Sequence, residues 1–279
     1  MTKSFQNILI IGREEDPRVG KPLKLLANHL IKAGITLLRK ENIDKADLII
    51  AIGGDGTMLY ASRLTREFNI PILGINRGRL GFLADVTPSE MLISVDHVLN
   101  GNFTTDTRLV LEAKLQCGSG ANKVAFALND VVLQRRETGR MISFETRVAN
   151  RYVNTHSGDG LIVATPTGST AYALSCGGPI IEPHLNTVAI VPICPHTLTD
   201  RPIMVSADNL IEIMLTQGDE TKAEIIIDGL PMGSIIPNET LNISAASKRV
   251  TLVHPPGYDF YEILRSKLLW GRDNRNREK

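Results

Sequence analysis

Residues 47–60, Asp-Leu-Ile-Ile-Ala-Ile-Gly-Gly-Asp-Gly-Thr-Met-Leu-Tyr, constrain the chain more than any other stretch. The apolar run 48–52 is rich in branched residues and too short for a helix, so it reads as a buried strand. It ends at Gly53-Gly54-Asp55-Gly56-Thr57 and gives way to a helix-like stretch carrying Met58, Leu59, Ala61 and Leu64. A strand that stops at glycines and restarts as a helix leaves backbone N–H groups unpaired at a positive dipole end, a seat for phosphate oxygens. The carboxylate in the middle is the unusual part. A phosphate repels Asp55 unless that group takes a hydroxyl proton or a cation, and phosphoryl transfer needs a group that does one of these. The plain alternative is a strand-to-helix turn in which Asp55 only stabilises the helix start.

The first hundred residues repeat this alternation. Strands are expected over 7–11, 48–52 and 70–75, and helices over 23–32, 58–67 and 87–99. Gly34 closes the first helix and Thr87-Pro88-Ser89-Glu90 opens the last. Such alternation implies a parallel sheet with right-handed crossovers, whose ligands bind at the carboxyl ends of the strands. The segment 74–83, with Asn76 and three glycines, leaves the third strand at that same edge. From about Phe103 the texture changes to short branched runs at 109–115, 123–128, 130–135, 142–149, 161–164, 187–191, 210–215, 224–227 and 250–253. These imply an all-β domain, sandwich-like or barrel-like. A final helix is expected over 258–270, packing back on the first domain. The expected division is 1–102 for the α/β domain, 103–253 for the β-rich domain and 254–279 for the returning segment.

At 279 residues the chain is long enough for two such cores, and 43% hydrophobic with 22% charged content is that of a soluble globular protein. A formal net charge of +1 supplies no global field for nucleic acid or an anionic membrane. No stretch approaches the length of a membrane span. Cys117, Cys176 and Cys194 fit neither a zinc pattern nor a disulfide framework, which favours a reducing, cytoplasmic setting. The histidines lack metal-ligand spacing, so no permanent protein-only metal site is expected, and His156 reads as an exposed loop residue.

Two further constellations lie in the β-rich half. Asn129-Asp130 sits within the strand pattern 127–133, although both residue types are depleted from strands. Polar groups that become buried there need partners, which suggests recognition of hydroxyls or amides; a simple bulge or turn is the plain alternative. The second is Asp159-Gly160 running through Thr165-Pro166-Thr167-Gly168-Ser169-Thr170-Ala171-Tyr172, a strand entering a hydroxyl-rich loop and then a helix-like turn. Thr170 is expected to cap that turn, and Tyr172 offers a face for a base.

In this order and context the three segments resemble the ATP-NAD kinase family, bacterial NAD kinases in particular, over essentially the whole chain. Loops like 53–57 also occur in phosphofructokinases and in lipid kinases of the diacylglycerol and sphingosine type. The string 165–172 is more discriminating. The resemblance implies Mg²⁺-dependent phosphoryl transfer from ATP to the adenosine 2′-hydroxyl of NAD, giving NADP and ADP. It implies that Asp55 contacts that hydroxyl and acts as catalytic base, with Gly56 beside it. Asn129 and Asp130 would hold ribose hydroxyls and Asp159 would lie near the nicotinamide end. Thr170, Ala171, Tyr172, Ala173, Leu174 and Ser175 would enclose the adenine side, and Arg140 would make a further substrate contact. A homodimer or homotetramer is implied, with the site partly completed by a neighbouring subunit and drawing on both domains. Two departures stand out: Ser157 occupies a position that is often Arg in the family, and Leu230 follows Asp228-Gly229 where Gln is frequent. A related-fold lipid kinase and a non-catalytic NAD(P)-sensing module are the alternatives. Asp55→Asn is expected to spare folding, because a carboxylate inside a phosphate loop is a point of repulsion.

Overall fold

The structure, a computed structural model, describes residues 4–78, 81–116, 122–136, 141–216 and 222–270. Arg140 and Cys117 lie outside the described residues. The chain divides into two compact units, one built from residues up to Thr107 together with those from Val250 onward, the other from Arg108 to Arg249.

The first unit begins with β1 (Asn7–Gly12), α1 (Pro17–Lys32), β2 (Thr36–Leu38), β3 (Leu48–Gly53), α2 (Asp55–Thr65), β4 (Ile72–Asn76), α3 (Met91–Leu99) and β5 (Thr104–Arg108). The pairs β1–β2, β1–β3 and β3–β4 are all parallel, as the alternation implied. Leu48, Ile49, Ile50, Ala51 and Ile52 of β3 are all fully buried. The large ones each contribute about 1.5–3 kcal/mol of transfer free energy. The helices start elsewhere than expected. α1 begins six residues before Leu23, because Asp16 accepts the Arg18 amide at 3.0 Å and Pro17 supplies a first residue with preset φ. Gly34, at φ +76°, closes it by donating to Ile31 O. α3 begins only at Met91. Thr87–Glu90 forms a separate turn, closed by Thr87 Oγ1 donating to Glu90 Oε2 at 2.6 Å.

The second unit contains β6 (Leu111–Gln116), β7 (Lys123–Ala127), β8 (Asp130–Arg135), β9 (Ile142–Val148), β10 (Arg151–Gly158), β11 (Gly160–Ala164), α4 (Tyr172–Ser175) and β12 (Thr187–Ile193). It continues with β13 (Ile203–Ser206), β14 (Ile211–Leu215), β15 (Ala223–Ile227), β16 (Leu230–Ile235) and β17 (Thr240–Ala245). They form two six-stranded sheets, β10-β9-β14-β17-β6-β7 and β13-β12-β11-β8-β15-β16, with antiparallel pairing throughout. One core takes Leu111, Phe144, Ile213 and Ile243 from the first sheet and Val131, Leu133, Leu161 and Ile225 from the second, so the pair is a sandwich. Strands of the first sheet alternate buried with half-exposed residues, as β6 and β14 do. β11 is buried at every position, since Ala173 and Ile181 cover the other face of its sheet over Val132, Ile162 and Ala164.

The last strand corrects the sequence reading. β18 (Val250–His254), expected to end the β-rich domain, enters the sheet of the first unit between β4 and β5 and runs parallel to β4. The order there is β2-β1-β3-β4-β18-β5. α5 (Phe260–Leu268) follows in the same unit, burying Ile263 and Leu264 and setting Lys267 over the Phe82 ring. Among the described residues no helix is long and apolar enough to cross a membrane.

Candidate active site

In the first unit the site grows from the carboxyl ends of β3 and β4. Their register sets Gly53 opposite Asn76. Gly54 is the N-cap of α2, so Asp55, Gly56 and Thr57 already form its first turn, three residues before the expected start. There the Asp55 carboxylate lies at the positive end of the helix. Its Oδ2 accepts the Phe82 amide at 3.3 Å and its Oδ1 the Leu83 amide at 3.1 Å. Gly81 is glycine for a local reason: a Cβ there would overlap Asp55 Oδ1. Gly53 likewise leaves room for the Thr57 side chain. By contrast, a Cβ on Gly54 or Gly56 would meet nothing within 4 Å. Packing does not demand glycine at these two positions, so the space over them is open to a ligand. Asn76 shapes the same edge by accepting the Gly78 amide at 2.7 Å.

In the second unit the β15–β16 turn organises the candidate dinucleotide residues. Asp228, in the left-handed region at φ +47°, accepts the amides of Leu128, Asn129 and Asp130 at 2.9, 2.8 and 3.2 Å. Asn129 therefore lies in the connection between β7 and β8, the turn that the sequence had left open. Asp130 is buried, and burial first, then the Asp228 charge, pushes its carboxyl up to about 7. Thr165 ties the second loop to this turn. Its hydroxyl donates to Leu128 O and accepts the Gly168 amide, while its own amide donates to Asn129 O. Gly168 packs directly on Asn129, whose carbonyl a Cβ would overlap. Sequence reasoning left Asp228 and Thr165 without a role. An Asp-Gly pair after a branched strand was the available signal for a hairpin turn whose side chain can bond the backbone.

Other expected residues fall into place differently. Thr170 does not cap α4; its hydroxyl donates to Thr167 O, and Ala171 is the cap residue. Ala173 is buried in the core and offers no side-chain surface, whereas Tyr172 and Ser175 are exposed. Burial is the main cause raising the Tyr172 hydroxyl, which bonds Cys176. Asp159 pairs with Arg135 Nε at 2.9 Å, so an arginine does stand beside it although Ser157 does not supply one. Ser157 instead bonds Ser143 Oγ. Asp130 pairs with Ala164 and Gln134 with Gly160, so Asp130 and Asp159 mark opposite ends of the β8–β11 ladder. Five residues of strand, roughly 16 Å, separate the ends, and the two carboxylates do not act on the same ligand atom. His156 is not an exposed loop residue. It is buried in β10, stacked on Phe144, with Nδ1 2.6 Å from Asp200 Oδ2. Among the described residues no group of three His, Cys, Asp or Glu side chains is placed to hold a metal.

The model of the ATP-NAD kinase N-terminal domain matches residues 21–103, and that of the ATP-NAD kinase C-terminal domain matches 128–255. The chain belongs to the ATP-NAD kinase family. The NAD kinase of Nitrosococcus oceani is 40% identical over 290 residues, covering 98% of this chain and 99% of that one. That of Chromobacterium violaceum is 41% identical over 289 residues, covering 97% and 99%. Among solved structures, yeast NADH kinase complexed with NADH superposes with a TM-score of 0.88 at 21% identity, covering 98% of this chain and 90% of the other. An NAD kinase from Archaeoglobus fulgidus in complex with ATP gives a TM-score of 0.74 at 24% identity, covering 94% and 97%. At those identities the two structures speak to the fold, a two-domain NAD kinase fold.

Proposed function

We propose that this NAD kinase moves the terminal phosphoryl group of ATP onto the adenosine 2′-hydroxyl of NAD, with Asp55 as the base. The observation that carries the assignment is the Asp55 carboxylate, anchored by two amides at the head of α2 beside the open space over Gly54 and Gly56. In the reaction the hydroxyl proton passes to Asp55, the 2′-oxygen bonds the γ-phosphorus, and the bond to the β-phosphate oxygen breaks, releasing ADP. Mg²⁺, carried by the triphosphate, supplies charge neutralisation on the transferred group. Asp55 carries the lone pairs to face it, and the α2 amides suit the phosphate oxygens. In the second unit Asn129 and Asp130 are assigned to ribose hydroxyls, Asp159 with Arg135 to the nicotinamide end, and 170–175 to the adenine side. With an elevated pKa, Asp130 suits this task, since its protonated form can donate to a hydroxyl as well as accept from one.

The test is direct. Purified protein with Mg²⁺, ATP and NAD should yield NADP and ADP in equal amounts, NADP being read by an NADP-specific dehydrogenase. ADP without NADP, or NAD phosphorylated elsewhere, would refute the acceptor. Excess chelator should abolish turnover. We assign a homodimer or homotetramer in the cytoplasm, on the family resemblance and on Cys176 and Cys194 being free thiols. Full activity in a species that sediments as a monomer at micromolar concentration would remove the oligomer from the reading.

A further inference from the structure

A second cleft lies in the first unit, between the start of α3 and the β18–α5 connection. It encloses about 560 Å³, within the range of small-molecule sites. Its charge is one-sided. Asp85, Glu90, Asp259 and Glu262 line it against one imidazole, His97, and no Lys or Arg does among the described residues. Asp259 is engaged, capping α5 through the Tyr261 amide and pairing with Arg265. Glu90 shares one oxygen with Thr87, and Glu262 stands exposed on the first turn of α5.

Asp85 makes the cleft more than a patch of surface acids. Its side chain is nine-tenths buried, with 9% exposed; Oδ2 sits 2.7 Å from His254 Nδ1, and Oδ1 has no hydrogen-bond partner among the described residues. A buried carboxylate oxygen left without a donor costs free energy that a bound donor would recover. Tyr258, stacked on His254 at 3.6 Å between ring centroids, adds an aromatic wall, and Val86, Ile93 and Ile263 add aliphatic surface. Carboxylates interleaved with apolar side chains match a ligand in which ammonium groups alternate with methylene chains. A bare divalent ion would leave most of the volume empty and the apolar walls unused. Aromatic rings also attract ammonium groups.

We propose that this cleft, whose lining shares no residue with the Asp55 loop, binds a linear di- or polyamine. The proposal does not rest on the kinase assignment, and its readout is binding to the full chain without nucleotide. Calorimetric titration with spermidine at moderate salt should give one site per chain at sub-millimolar affinity, while 1,6-hexanediol, neutral and of comparable shape, should give no heat. The double variant Glu90→Gln/Glu262→Gln removes only exposed charges and should weaken spermidine at least tenfold. Asp85→Asn should do the same where circular dichroism shows it folded; if it does not fold, the double variant alone decides. Several weak equivalent sites, unchanged affinity in the double variant, or displacement of spermidine by an equal concentration of Mg²⁺ would each overturn the proposal.

Discussion

Asp55 performs two tasks that one substitution separates. In Asp55→Asn the amide keeps the size but offers a single acceptor oxygen, while its NH₂ faces one of the two amides that the carboxylate now serves. Losing a charge-assisted bond at a helix N-terminus costs about 1–3 kcal/mol, so the unfolding temperature should fall. That reverses the expectation from sequence, which counted the repulsion of phosphate and could not see Phe82 and Leu83. Turnover should fall by roughly 10²–10⁴, the cost of removing a general base, with KM for NAD changed only a few-fold. Near-normal turnover would reduce Asp55 to a turn residue, and lost NAD binding would make it a substrate anchor. Asp130 yields a prediction of different kind. Its carboxyl is raised from 3.8 to about 7 in the folded chain. Between those values the native state holds a proton that the unfolded state has released, so this group's contribution to stability declines as pH rises through the window and is level above it. At about 1.4 kcal/mol per unit the full effect is of the order of 4 kcal/mol. Asp130→Asn should therefore gain unfolding temperature relative to the parent at pH 8 and lose more than half of that advantage at pH 5. An advantage equal at both values would contradict the buried, proton-holding carboxyl.

Among elements, what the sequence disclosed follows in large part from where each lies in its sheet. β3, β8, β11 and β14 are interior strands, and their branched apolar runs or clean alternation are visible without coordinates. β2, β5, β10, β13 and β16 are edge strands that were not anticipated; edge strand β7 was anticipated, and interior β17 (Thr240–Ala245) was missed. An edge strand packs on fewer neighbours and carries polar or exposed side chains, as the largely exposed β10 and β13 do, so its period fades. β18 was recognised as a strand, but its partner was not legible, because pairing across so long a separation leaves no local trace. The loops separate in the same way. Residues 53–57 and 165–172 declared themselves by composition, whereas the Asp228 turn that holds Asn129 and Asp130 depends on a contact about a hundred residues away. Two glycines now test which loop residues serve packing and which serve ligands. Gly168→Ala drives a Cβ into the Asn129 carbonyl and should cost about 1–3 kcal/mol, with weaker NAD binding. Gly54→Ala meets nothing, and its backbone is extended at φ −101°, so stability should stay within about 0.5 kcal/mol. Its effect should appear instead as a raised KM for ATP. A destabilised Gly54→Ala, or a Gly168→Ala indistinguishable from the parent in melting, would show that the two loops have been read the wrong way round.

At the scale of the whole molecule, one unit is continuous in sequence and the other is not. Residues 108–249 carry both sheets of the sandwich and the core between them, so nothing outside that span is needed to bury Phe144 or Ile225. The first unit is interrupted, because β18 lies inside its sheet with β4 on one side and β5 on the other. Cutting the chain after Thr107 removes Val250, Leu252 and Val253 of β18 and Ile263 and Leu264 of α5, all at most 5% exposed. At about 1.5–3 kcal/mol per buried side chain the loss is roughly 8–15 kcal/mol, comparable with the entire stability of an ordinary domain. It also leaves β4, buried at every position, as a raw apolar edge open to pairing with other chains. The fragment 108–249 should therefore be soluble and unfold in a single cooperative transition. The fragment 1–107 should aggregate or show no transition, and joining it by a flexible linker to 250–270 should restore one. Cooperative unfolding of 1–107 alone, followed by circular dichroism in urea, would mean that β18 is an accessory to that sheet rather than part of what makes it fold.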